Sequence, residues 1–131
     1  PDRQRMIGPI STTDIVRYQG ATGDLNPVHH DLGAARAAGW TTLLVPGLLP
    51  ASLLSDLATE WLGAAYIRRF LARFHVPVFL GDELRCTARI ADHRALNRAE
   101  GVEVSLSCIR MSDGVQVTTA TAAFAGHVGQ L

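Results

Sequence analysis

The stretch "GLLPASLLSDLATEWLG", Gly47 to Gly63, decides the fold. Apolar side chains crowd every side of its first turns, where a surface helix would keep a polar face, so it predicts a helix buried on most sides. Pro50 falls in the first turn, where a missing N–H breaks no intrahelical bond, and Gly63 supplies a stop. Beyond Gly63 the period changes to two. Leu84, Cys86, Ala88 and Ile90 alternate with Arg85, Thr87 and Arg89; Val102, Val104, Leu106 and Cys108 alternate with Glu103, Ser105 and Ser107. "YIRRFLARFHV" (66–76) and "VQVTTATAAF" (115–124) read as two more strands, with turns at 81–82, 97–101 and 112–114. One buried helix followed by consecutive strands predicts an α+β domain, its antiparallel sheet wrapped around a long central helix.

Upstream of Gly47, residues 3–9 predict a short strand stopped by Gly8 and Pro9. Ser11, Thr12 and Thr13 are N-cap candidates for a short helix ending near Gly20 or Gly23. "DLGAARAAG" allows one or two helical turns closed by Gly39. No repeat or linker divides the chain, so residues 1–131 read as one domain.

Composition narrows the functional classes. With 47% apolar and 18% charged residues, the chain has the make-up of a compact, soluble domain. Twelve basic residues balance twelve acidic ones, which argues against a nucleic-acid footprint or a polybasic membrane patch. The first residues, "PDRQRMIG", carry no apolar signal-peptide core, and no apolar run has the ~20 residues that span a bilayer. Cys86 and Cys108 lack a CxxC partner and read as small buried hydrophobes of a reducing, cytoplasmic protein.

Chemistry concentrates in "TGDLNPVHHD", Thr22 to Asp31. Asp24 and His29 lie five residues apart, a spacing that a regular helix would turn onto different faces. Gly23 and Pro27 favour a bent loop instead, Asn26 can brace it, and the two ionisable groups can then converge on one water. The competing reading is an Asx-type turn, with Asp24 capping a helix and His29 on the surface. A metal is disfavoured: the calcium-loop positions that need Gly and Glu hold His29 and Ala35, and contiguous His29, His30 and Asp31 suit no tetrahedral ion.

Gly47 opens the apolar helix, where free N–H groups favour developing negative charge. Ser55, two turns along, either contacts a ligand or bonds back to the Ala51 carbonyl. Arg68, Arg69 and Arg73 form a dense basic cluster that suits a solvated strand face or, less readily, a phosphate. His30 is expected to point away from the His29 site, His75, His93 and His127 fall on strand or loop positions, and all four read as structural or solvated.

Together, "TGDLNPVHHD", Gly39, "VPGLLPASLLS" and "RFHVPVFLGDEL" resemble the MaoC-like dehydratases, which include the (R)-specific enoyl-CoA hydratases. The resemblance runs from about Thr13 to about Gly126. It implies a hotdog fold and a homodimer, with a higher oligomer or a heterodimer as variants. It implies reversible addition of water to a trans-2-enoyl thioester of CoA or acyl carrier protein, without metal or other cofactor. Asp24 and His29 would hold the water, the Gly47 N–H would polarise the thioester oxygen, Ser55 matches an active-site serine, and Asn26 would support the loop. The His that commonly precedes the glycine is here Pro46, which cannot donate a hydrogen bond, and the Met that often comes after it is Leu48. Alternatives are a non-catalytic supporting subunit, a hotdog acyl-CoA thioesterase and, last, a small-molecule binding module.

Overall fold

The computed structural model describes residues 2–91 and 101–125. The predicted turn at 97–101, apart from Gly101, lies outside them, as do His93 and His127. The chain runs β1 (Arg3–Ile7), α1 (Thr12–Thr22), a 3₁₀ turn (Pro27–His29), α2 (Leu32–Ala37), α3 (Leu48–Leu62), a second 3₁₀ turn (Ala64–Tyr66), then β2 (Ile67–Phe74), β3 (Leu84–Ile90), β4 (Val102–Arg110) and β5 (Gln116–Phe124). The strands pair antiparallel in the order β1-β3-β4-β5-β2.

The two-residue alternation does what it predicted. Leu84, Cys86 and Ala88 on β3 and Val104 and Cys108 on β4 are fully buried, while Glu103 and Ser105 face outward. The apolar face is covered by α3, which touches all five strands. Leu54 and Ala58 of α3 are fully buried against it, and burying one Leu side chain stabilises the fold by roughly 1.5–3 kcal/mol. At 15 residues, α3 is about 22 Å long, a helix of ordinary length lying across the sheet. Gly47 and Gly63 bound it as the sequence suggests, and Pro50 sits in its first turn.

Cross-strand hydrogen bonds from Met111 N to Glu83 O and from Ala91 N to Glu103 O fix the β3–β4 register. Cys86 and Cys108 then face each other as a non-hydrogen-bonded pair, both free and buried, their sulfurs 3.9 Å apart. Their side-chain hydrogen bond, reinforced by burial, holds the Cys108 thiol protonated. β4 begins just after Gly101, whose φ of +113° suits only glycine. A Cβ there would overlap the Phe124 carbonyl.

Two loops connect this frame to the Thr22–Asp31 motif. Val45 N donates to Val78 O (2.8 Å) and Leu80 N to Leu43 O (3.1 Å), so residues 43–45 run beside 78–80. The second segment is itself braced. Asp82 Oδ2 accepts from Phe79 N at 2.9 Å, and the Arg110 guanidinium reaches Pro77 O (2.9 Å) and Asp82 (3.4 Å). Helix α3 therefore starts from a rigid lead-in, with Pro46 fully buried just before it.

Candidate active site

Helix α1 starts at a Ser11–Asp14 capping box and stops at Gly23, where a φ of +75° lets its N–H return to Gln19 O. Asp24 comes next. Its Oδ1 accepts from Asn26 N at 3.3 Å, an Asx turn that leaves Oδ2 free. Asn26, extended ahead of Pro27, accepts from Val28 N at 3.2 Å through its own Oδ1.

Pro27–His29 then form a single 3₁₀ turn, where the sequence suggests an irregular loop. The reason is local. Pro27 has the preset φ of a first helical residue and Asn26 caps it, so the chain takes one tight turn and no more. Asp31 then caps α2 by accepting from Gly33 N (2.9 Å) and Ala34 N (3.3 Å).

This turn brings Asp24 and His29 together. His29 Nε2 and Asp24 Oδ2 stand 3.8 Å apart, beyond a direct hydrogen bond. A water about 2.8 Å from each would fit between them. The Asx turn and the convergent pair are therefore not alternatives: one carboxylate oxygen serves each. His29 is not a surface residue. Its side chain is 8% exposed against 45% for Asp24. Its Nδ1 lies 2.6 Å from the Leu44 carbonyl, which only accepts, so Nδ1 carries a proton and Nε2 is the nitrogen that faces Asp24. Leu44 N in turn donates to Val28 O at 3.2 Å.

Gly47 lies three residues beyond Leu44, at the N-cap of α3, where backbone N–H groups precede the first intrahelical bonds. A cleft of about 280 Å³ opens there, lined by Leu44, Val45, Gly47, Phe74, His75 and Val78 among others. Neither Asp24, His29 nor Ser55 lines it; Leu44 belongs to both places. Ser55 is half-buried on α3, and among the described residues its hydroxyl makes no bond to Ala51 O, although Thr59 makes the equivalent bond to Ser55 O at 3.0 Å. A second, mostly apolar groove runs between β1, α1 and α3, lined by Met6, Ile10, Tyr18, Leu49 and Leu53. Burial first, and the Asp24 charge second, raise the Tyr18 phenol above its ordinary range.

Sequence reasoning missed Gln19. It is 3% exposed, and its amide joins Asn26 O (3.4 Å) to the His30 ring (3.1 Å). The one available signal is its position, four residues after the fully buried Ile15 and so on the same face of the helix. The remaining side chains are structural or solvated. His75 bonds Thr119 across the strands at 2.8 Å. Arg68 bonds the carbonyls of Ala65 and Ile67, Arg69 meets Glu103 at 3.4 Å, and Arg73 is exposed on β2, one of the two edge strands. Among the described residues no three His, Cys, Asp or Glu side chains converge on a point that could hold a metal ion.

An antiparallel five-stranded sheet covered by one apolar helix places the chain in the hotdog class of folds. Solved structures share it: R-hydratase PhaJ1 from Pseudomonas aeruginosa superposes with a TM-score of 0.84 at 22% identity, over 96% of this chain and 79% of that one. The (R)-hydratase from A. caviae superposes at 0.83 and 21% identity, over 95% and 93%. The MaoC-like domain matches residues 2–111, and the chain belongs to that family. Among curated relatives, a mitochondrial 3-hydroxyacyl-acyl-carrier-protein dehydratase of Solanum lycopersicum is 36% identical over 98 residues, 74% of this chain and 59% of the relative. The Arabidopsis thaliana counterpart is 32% identical over 77% of this chain and 61% of its own length. The chain thus spans about three-fifths of the length of these relatives.

Proposed function

We propose that this chain is a hydratase/dehydratase, a lyase that reversibly adds water to a trans-2-enoyl thioester of CoA or acyl carrier protein to give the 3-hydroxyacyl thioester. One observation carries the reading: a buried imidazole, its Nδ1 tied to a carbonyl, offers Nε2 to a carboxylate oxygen 3.8 Å away. That gap suits one water. In hydration, the water oxygen bonds to Cβ of the enoyl group as its proton passes to the Asp24–His29 pair, and the pair returns a proton to Cα. The Gly47 N–H stabilises the enolate-like oxygen of the thioester, a contribution of order 3 kcal/mol by analogy with other oxyanion donors. Ser55 lies on the same helix as a substrate contact, and Asn26 holds the loop. No metal or cofactor enters any step.

The family membership and the names of the curated relatives support the same chemistry. The reading extends to a single cytoplasmic domain, its sheet curled about α3, working as a homodimer. No helix among the described residues is long and apolar enough to cross a membrane. The test is loss of enoyl absorbance when purified protein meets short and medium 2-enoyl-CoA esters. Asp24→Asn and His29→Ala should each lower turnover at least a hundredfold. Asp24 is largely exposed and its Asx bond survives in Asn, so thermal unfolding should scarcely move. Wild-type rates in both variants end the assignment; release of free thiol with the double bond retained in the product acid replaces it with thioester hydrolysis.

A further inference from the structure

We infer that Gln19 is a positioning residue for the Asp24–His29 pair, acting with His30 as one polar clamp on the turn; this rests on the hydratase reading above. Gln19 is nearly fully buried on the face of α1 that also buries Ile15. An amide in that place costs stability unless both ends are bonded. Both are: Nε2 donates to Asn26 O at 3.4 Å, and Oε1 lies 3.1 Å from His30 Nδ1.

The orientation of the amide is fixed by its partners. Turned over, Oε1 would face the Asn26 carbonyl, two acceptors with no proton between them. With Oε1 toward His30, that ring must carry its proton on Nδ1. The two anchored points bracket the imidazole that matters. Asn26 O also accepts from His29 N at 3.2 Å, so Gln19 grips the carbonyl that starts the 3₁₀ turn, and His30 grips its end. His29 is thereby fixed from α1 on one side and from Leu44 on the other. Asp24 sits between the end of α1 and the clamped carbonyl. The 3.8 Å gap is therefore set by α1 through Gln19, as well as by the turn itself. A shift of even 1 Å in such a gap changes whether one water can touch both groups.

The role is separable from plain stability. Gln19→Leu keeps the size and removes both hydrogen bonds. It should lower turnover tenfold or more with KM within about twofold, at temperatures well below the unfolding midpoint of the variant. His30→Leu should do the same, and the double variant should be no slower than the slower single one, because the two residues form one element. His30→Asn presents an amide N–H near the position of Nδ1 and should retain at least a third of the turnover. Nitrogen-15 spectra should show His30 as the Nδ1–H tautomer in the parent protein and as a mixture in Gln19→Leu. Independent, multiplicative losses in the double variant, or unchanged turnover in Gln19→Leu, overturn the clamp while the hydratase reading stands. A parent protein without hydration activity removes that reading, and the tautomer change still reports whether the clamp exists.

Discussion

Between α3 and the sheet, Leu54, Leu84, Val104 and Val117 are fully buried and contribute no side-chain polar atom. In the turn from Asp24 to His30, the side chains of Asp24, Asn26, His29 and His30 are all hydrogen-bonded, and one exposed carboxylate meets one buried ring. The first region gains its stability from area removed from water and tolerates small shifts of any one contact. The second has little apolar area and gains direction instead, because a hydrogen bond fixes an angle as well as a distance. The connection between them is backbone. Residues 43–45 bond back to the turn, run beside 78–80 and lead into α3, so the apolar core sets where the Leu44 carbonyl stands. A rigid core thus aims a polar site that could not hold itself in place.

That contrast can be broken from either side. Leu54→Ala should destabilise the fold most, by about 2–5 kcal/mol, because the cavity it leaves is bordered by both α3 and the sheet. Denaturant unfolding measures this, and turnover per folded molecule should stay near that of the parent protein. Gly47→Pro does the opposite. The φ of −58° at Gly47 is already that of proline, so the change removes an N–H with little local strain. Turnover on a 2-enoyl-CoA should fall by about 10²–10³, the loss typical for one oxyanion donor. Gly47→Ala separates the N–H from the space: its Cβ would meet only Phe74, at 3.8 Å, so its loss should be much smaller. Equal losses in the two variants would remove the oxyanion role from this N–H.

The same contrast explains what was legible in the sequence. The core was, because burial follows period: the alternation at 84–90 and 102–108 and the apolar crowding in the first turns of 48–62 translate directly into one covered sheet face. The pairing order was not, because β1 joins the sheet at one edge and β2 at the other, and no local pattern encodes such long-range partners. At the candidate site, the approach of Asp24 to His29 and the bracing by Asn26 were legible because a Gly, an Asn and a Pro at this spacing force a bend. Gln19 and Leu44 were not. A backbone carbonyl has no sequence signature, and a lone glutamine acquires meaning only when α1 places it against Asn26 and His30. Asp82 is intermediate: the "GD" at 81–82 marks a turn, but its bond to Phe79 and its contact with Arg110 come from tertiary structure.

The smallest expected effect lies outside both regions, at the start of α1. Ser11 Oγ accepts from Asp14 N at 3.1 Å, and Asp14 Oδ2 accepts from Ser11 N at 2.8 Å. Ser11→Ala deletes the first bond and should cost about 1 kcal/mol, or a few degrees in Tm. The effect should depend on pH in one direction. Bonds from the Ser11 backbone first, and its hydroxyl second, hold the Asp14 carboxyl below its ordinary range. The unfolded chain therefore takes up the proton first, near pH ~4, and the carboxylate's contribution is present above that value and lost as pH falls through the lower folded one. The Tm difference between parent and Ser11→Ala should be full at pH ~7 and narrow below pH ~4, because the bond from the Ser11 hydroxyl to the carboxylate is then weakened in the parent too. Gln19 lies well past the first turn of the helix, so turnover per folded molecule should not change. A fall in turnover at unchanged folded fraction would mean that the helix start, and not only its last turn, sets the gap between Asp24 and His29.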